Sequence, residues 1–406
     1  MKHKVVIIGH GYLSRLGLVR AVAEIGCEVT VIATTSQSDR KSLSQKSIDC
    51  YSKYVNHYYC CPRKDNEALI TFLLDKCADS TQKVVLIPDG DDVVAAIDNN
   101  KEVLREHFLF PHIVKEPSSM EYWMEKTHQK QLAKENGLDV TNAFLIEIVN
   151  GQYSIPADVQ YPVFPKPLAT MNGGKGGMRR CDNEKELSDA LEYIIKTRSR
   201  NVKVLVEDYK RIDTEYALLG FSDGEDVIIP GVLQFLTVSK AHTGIALQGR
   251  VMSIFGFEEL IDKFKRLVLS IGFVGVFDID FFKSEDIYYF CELNLRYGGS
   301  GYAITKMGVN LPVMMVKRLY GESIEGMKTE INESAVYVNE KMCMDDWNGG
   351  YISLKEFKGY QSSSNISFVT DNSDPAPGRM YRLLYSRRWA INVIKSIIGK
   401  KNVGVQ

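Results

Sequence analysis

From Asp278 the chain reads Asp-Ile-Asp-Phe-Phe-Lys-Ser-Glu-Asp-Ile-Tyr-Tyr-Phe-Cys-Glu-Leu and continues into Asn294-Leu-Arg296. Two apolar-rich halves flank a polar turn at Lys283–Asp286, which constrains the stretch to a pair of antiparallel strands. Side chains alternate across a strand, so Asp280, Glu292, Asn294 and Arg296 are expected on one side. A cleft with that lining suits a hard divalent cation. Mg2+ takes a few carboxylate or amide oxygens, keeps waters, and completes its shell with substrate phosphates. On packing grounds alone, the same alternation describes a hairpin with a solvated acidic face.

At 406 residues the chain is long enough for two or three domains, each with its own core. A formal net charge of -1 gives no global field that would point to nucleic acid. The eight cysteines include no C-x-x-C pair, and the N-terminus has no long apolar segment behind a basic start, so reduced thiols and a cytoplasmic location are expected. No apolar run approaches the length that spans a bilayer.

Buried-strand runs at Lys4–Gly9, Cys27–Ala33 and Lys83–Pro88 alternate with helical patterns, which predicts a doubly wound α/β unit to about residue 115. A dinucleotide site would need a third glycine where Ser14 stands, and an acid where the second strand ends in Ala33-Thr34-Thr35. Gly9, Gly11 and Gly17 are therefore assigned to close packing of the first helix on its strand. One helix is expected over Ser119–Asn136, stopped by Gly137. An α+β body follows to about residue 325, with helices at Leu187–Thr197 and Phe257–Ile271 and strands at Val202–Tyr209, Glu215–Phe221 and Val227–Gln234.

Gly173-Gly174-Lys175-Gly176-Gly177 leaves backbone amides free to approach an anion, although glycine after Lys175 excludes a Walker A loop. Taken alone it is a hairpin tip. Lys166, between Pro165 and Pro167 on the strand before it, adds a fixed ammonium suited to phosphate. Glu207-Asp208-Tyr209 ends an apolar strand where a base edge could be read, and Glu215 follows at a distance that suits a ribose hydroxyl; read singly, each is ordinary surface.

In this order, a helical lysine (Lys126), a strand lysine (Lys166), a glycine loop, a strand-end glutamate and then Asp…Glu-x-Asn-x-Arg, the chain resembles the ATP-grasp superfamily over roughly residues 120 to 325. The resemblance implies that Asp280, Glu292 and Asn294 hold two Mg2+ ions, with Mn2+ as a substitute, on ATP. It further implies that Lys126 and Lys166 meet the nucleotide, that Gly173 to Gly177 cover the phosphates, and that Glu207, Asp208 and Tyr209 meet the adenine edge. Glu215 would meet the ribose, and Arg296, with Lys166, would face the acyl phosphate. The implied division is a pre-ATP-grasp α/β domain (1–115), a small lobe with the glycine-rich loop (116–200), a large lobe with the metal site (201–325) and a C-terminal extension (326–406). Glu125 departs from the usual Asp-Lys before Lys126, which touches only the local cap, and His242 is a further candidate near substrate. The implied activity is ATP-dependent ligation of a small-molecule carboxylate to an amine. The alternatives are a carboxylate-thiol ligase or carboxylase of the same superfamily, and a nucleotide-binding regulatory protein without turnover.

Past Pro375, residues 379–401 carry Arg379, Arg382, Arg387, Arg388, Lys395, Lys400 and Lys401 interleaved with apolar residues at near-helical spacing. Such a helix either docks on the body or lies on an anionic membrane surface. Together with Arg-Tyr-Gly-Gly-Ser-Gly from Arg296, this tail weakly resembles standalone ATP-grasp ligases similar to D-aspartate ligase. A homodimer is compatible with all of this.

Overall fold

The computed structural model describes residues 2–35, 47–62, 65–168, 178–242 and 244–384. The chain forms two compact units, the first gathering 1–111, 235–253 and 296–406, the second 112–234 and 254–295. The Gly173–Gly177 loop lies outside the described residues, as does the basic segment beyond residue 384. Among the described residues, no helix is long and apolar enough to cross a membrane.

The first unit opens with β1 (Lys4–Gly9), α1 (Tyr12–Ala23), β2 (Glu28–Thr35), β3 (Val55–Pro62), α2 (Asn66–Phe72), β4 (Val84–Asp89), α3 (Asp91–Asn99), α4 (Lys101–Leu104) and β5 (Phe108–Leu109). All five strands are parallel, in the order β3-β2-β1-β4-β5. Strands covered on both faces need continuous apolar runs, which Val5–Ile8 and Val84–Ile87 supply. The glycines act differently from the expectation. A Cβ on Gly9 would sit 2.0 Å from the Asp89 carbonyl oxygen, and one on Gly17 would sit 3.0 Å from Tyr302 Cβ, so neither spaces α1 from its own strand.

Asp89, at the end of β4, is buried and accepts from the Gly11 amide at 3.1 Å. Burial pushes its carboxyl up to about 7, against the opposing pull of Arg15. A carboxyl raised in the folded state keeps its proton where the unfolded chain has lost it, so its contribution to stability declines from about pH 4 to about pH 7. Asp89→Asn removes that titration. Thermal melts should show the variant gaining stability relative to the parent over this window, and a constant difference would refute the assignment.

The second unit contains β6 (His112–Ile113), α5 (Met120–Met124), α6 (Lys126–Glu135), β7 (Ala143–Ile148), β8 (Val163–Pro167), α7 (Glu184–Thr197), β9 (Val202–Asp208), β10 (Thr214–Asp223), β11 (Val227–Ile228) and the start of β12 (Val232–Val238). After β13 (Ala246–Met252) of the first unit, the chain returns with α8 (Glu258–Ile271), β14 (Phe273–Ser284) and β15 (Ile287–Asn294). The expected single helix over Ser119–Asn136 is two, because Glu125 is extended (φ -75°, ψ 127°) and Lys126 starts a new helix.

Strands β7, β9 and β8 make an antiparallel sheet. Leu187, Ala190, Leu191 and Ile194 of α7 pack on Val204 and Val206, which turns Leu205 and Glu207 to the opposite face. Strand β14 pairs with β10 and β15, and Phe264 of α8 meets Phe281 at 5.3 Å between ring centroids. Helix α8 thus covers the odd-numbered face of β14 and leaves the even-numbered face to Asp278 and Asp280.

The rest of the first unit adds α9 (Gly301–Lys306), α10 (Leu311–Leu319), β16 (Ala335–Val338), α11 (Glu340–Asn348), α12 (Leu354–Ser362) and β17 (Ile366–Ser367). Buried carboxylates fix its loops. Asp346 of α11 accepts from Ser239 Oγ, Lys240 N and Ala241 N, and Glu340 accepts from the backbone amides of Phe368, Val369 and Thr370.

Candidate functional site

The β14–β15 hairpin turns on Glu285 and Asp286, whose φ values of 49° and 67° fit a two-residue turn with both central residues left-handed. The turn is tighter than the expected Lys283–Asp286, since Lys283 and Ser284 still pair with Tyr288 and Ile287. Asp278 stands opposite Asn294, and Asp280 opposite Glu292. Cross-strand partners share a face, so these four oxygen-bearing side chains lie on one side of the hairpin, although among the described residues no three His, Cys, Asp or Glu side chains are gathered closely enough to hold a metal ion. The register shifts between Asp280 and Phe281, where Cys291 is the extra residue of a bulge. It turns Phe290 to the Phe281 side while Glu292 keeps the Asp280 side. Next along the same face, Phe282 stacks on Tyr289 at 5.3 Å, with Glu215 of β10 opposite Phe282.

Helix α6 is fixed to β15 by Gln129, whose side-chain amide donates to Leu293 O at 2.7 Å and accepts from Leu293 N at 2.9 Å. That places Lys126 Nζ 3.3 Å from Glu292 Oε2. One turn along the helix, Lys130 Nζ contacts Glu207 Oε1 at 2.9 Å and donates to Thr141 O at 3.0 Å and Thr141 Oγ1 at 2.6 Å. The other Glu207 oxygen pairs with Lys166 Nζ at 2.6 Å. Burial disfavours all three charges. At Glu207 the two lysines outweigh it and hold the carboxyl below the ordinary value; at Lys166 the Glu207 carboxylate outweighs it and the ammonium is raised; at Lys130 burial wins and the ammonium is lowered. Cys291 borders the group, its thiol pushed up to about 12 by burial.

Lys126, Lys166, Glu207, Glu215, Asp280, Glu292 and Asn294 therefore all belong to the second unit. Asp208 accepts from Asn142 Nδ2 at 3.0 Å, its amide donates to Asn142 O, and the Tyr209 amide donates to Pro162 O at 2.9 Å. Both amides are thus spent on neighbouring chain. Arg296 lies past the end of β15, where strand alternation no longer applies, and belongs to the first unit; its Nε donates to Asp91 Oδ1 at 2.6 Å. His242 is also in the first unit, with Nε2 3.0 Å from Asp345 Oδ2. The sequence reading missed Lys130 and Asp278. The signal for each was spacing: four residues from Lys126 on a helix, and two from Asp280 on a strand.

Residues 125–325 match the family described as carbamoyl-phosphate synthase L chain, ATP binding domain. Carbamoyl phosphate synthase large chains are similar: that of Agathobacter rectalis is 27% identical over 206 residues, 48% of this chain and 19% of the relative. That of Clostridium perfringens is 28% identical over 171 residues, 41% of this chain and 16% of the relative. The chain thus spans less than a fifth of the length of these relatives. Among solved structures, the biotin carboxylase domain of Hydrogenobacter thermophilus 2-oxoglutarate carboxylase, in complex with MgADP, ADP and bicarbonate, superposes with a TM-score of 0.60 at 18% identity, over 83% of this chain and 74% of that one. Staphylococcus aureus N5-carboxyaminoimidazole synthetase superposes with a TM-score of 0.61 at 17% identity, over 86% of each chain. These likenesses show a shared mixed α/β fold.

Proposed function

We propose that this chain, which belongs to the ATP-grasp superfamily, is an ATP-dependent carboxylate-amine ligase that releases ADP and phosphate. The observation that carries the reading is the single face of β14–β15 that bears Asp278, Asp280, Glu292 and Asn294, with Lys126 against Glu292. The donor set fits Mg2+: hard carboxylate and amide oxygens, few enough to leave positions for water and phosphate. Asp280, Glu292 and Asn294 would hold one or two such ions, with Mn2+ as a substitute. Held there, such an ion would offset the negative charge of the nucleotide phosphates.

The remaining chemistry falls to the chain. A carboxylate is a poor acyl donor, so its oxygen first displaces ADP from the γ-phosphorus of ATP. The amine nitrogen of the acceptor then displaces phosphate from the acyl carbon and loses a proton. Lys126 and Lys166 would anchor phosphates, with Gly173 to Gly177 as the cover. Glu207, Asp208 and Tyr209 would read the adenine edge and Glu215 the ribose. Arg296 would supply fixed positive charge at the acyl phosphate. In this scheme, residues 1–115 act as a doubly wound pre-ATP-grasp domain, 116–200 and 201–325 as the two ATP-grasp lobes, and 326–406 as an extension.

A second reading, carboxylation with bicarbonate in place of an organic acid, draws on the bicarbonate in one structural neighbour. ADP and phosphate release from Mg·ATP, measured with pools of acids and amines, tests both. Release that needs an acid and an amine together is the expected result. Release with bicarbonate alone would move the reading to a carboxylase, and ATP binding without release across all pools would overturn catalysis.

A further inference from the structure

The Lys130–Glu207–Lys166 cluster is asymmetric. Lys130 spends three donor contacts on Glu207 Oε1, Thr141 O and Thr141 Oγ1, which fixes its ammonium. Lys166 makes one ion pair among the described residues, with Glu207 Oε2, and lies at 5.8 Å over the Phe164 ring. The carboxylate they share is only 6% exposed. A nucleotide phosphate that recruits Lys166 must take it, at least in part, from Glu207. Were Lys166 the sole cation there, its departure would leave a buried carboxylate uncompensated, a strongly unfavourable state. Lys130 removes that obstacle because it stays with Glu207.

We propose that Lys130 is a positioning residue, the resident counter-ion of Glu207 that releases Lys166 to a nucleotide phosphate. The inference rests on the ATP-site reading above. It predicts an effect that depends on phosphate and vanishes for a nucleoside, which lacks the group that draws Lys166 away. A lysine that merely braced the fold would weaken both ligands alike.

The test compares Mg·ADP with adenosine on the full-length chain, with affinities measured by calorimetric competition and folding checked by thermal melts. Lys166→Met is the control for the underlying reading: it should weaken ADP at least tenfold and adenosine less than about threefold. If it does not, the ATP-site reading fails. Given that control, Lys130→Met should also weaken ADP at least tenfold while sparing adenosine. In a Glu207→Gln background, which has no buried charge to strand, the same Lys130→Met change should leave the ratio of ADP to adenosine affinity unaltered. That background also serves if the single variant folds poorly. Equal loss of both ligands, no loss of ADP, or an equal shift of the ratio in the Glu207→Gln background would overturn the proposal.

Discussion

Glu292→Gln should lower ATP-dependent phosphate release by about a hundredfold or more while leaving the fold intact. The magnitude is that of losing one preorganised electrostatic contact to developing charge, ~3 kcal/mol of barrier. Glutamine keeps the shape of the side chain and can fill the position opposite Asp280. What disappears is the charge, and with it the partner of Lys126 at 3.3 Å. That partnership has two consequences. The carboxylate holds Lys126 near the oxygen-rich face before nucleotide arrives, and Lys126 in turn holds the carboxylate in place there. With Glu292 about a third exposed, stability depends little on the pair, and the melting temperature should stay within a few degrees. An unchanged kcat would remove Glu292 from the reaction. A large fall in melting temperature would recast the residue as structural.

The largest stability effect is expected at Arg20. Its guanidinium, on α1, donates from Nε to Asp374 Oδ2 at 3.0 Å, from Nη1 to Phe368 O at 3.0 Å, and from Nη2 to Val369 O at 3.0 Å and Asp374 O at 3.2 Å. Both side chains are almost wholly buried, at 3% and 0% exposure. Arg20→Met strands a carboxylate and three carbonyls at once, and breaking such a buried pair costs roughly 3–5 kcal/mol. Arg20→Met with Asp374→Leu should recover only the part due to the stranded charge, because the three carbonyls stay unpaired and the Lys53 amide loses its acceptor. Urea titration of both variants checks the claim. A loss below about 1 kcal/mol in the single variant would mean that water reaches the pair.

The hairpin was legible because alternation needs only two adjacent strands, and Asp280, Glu292 and Asn294 do share a face. The bulge at Cys291 was not, since the Tyr-Tyr-Phe-Cys run carries no local cue for an extra residue; it happens to fall where it spares the 292/294 alternation. Extending that alternation to Arg296 was an overreach, because the strand ends at Asn294. The parallel sheet was readable from its Val/Ile runs. The break at Glu125 was hidden in a segment whose residue types all tolerate helix. Clamps such as Arg20 to Asp374, or Asp346 to the Lys240 and Ala241 amides, join residues a hundred or more positions apart, which local periodicity cannot register. The Lys130–Glu207–Lys166 cluster was half visible. Its glutamate and strand lysine were singled out, but that one carboxylate holds two lysines follows only from tertiary packing.

Anomalous diffraction from crystals grown with Mn2+ and ADP shows whether one face of β14–β15 binds a nucleotide-borne divalent ion. A manganese peak within bonding distance of Glu292 and Asn294, with phosphate oxygens completing its shell, is the expected result. Manganese and ADP ordered elsewhere on the chain, with those side chains uninvolved, would contradict it.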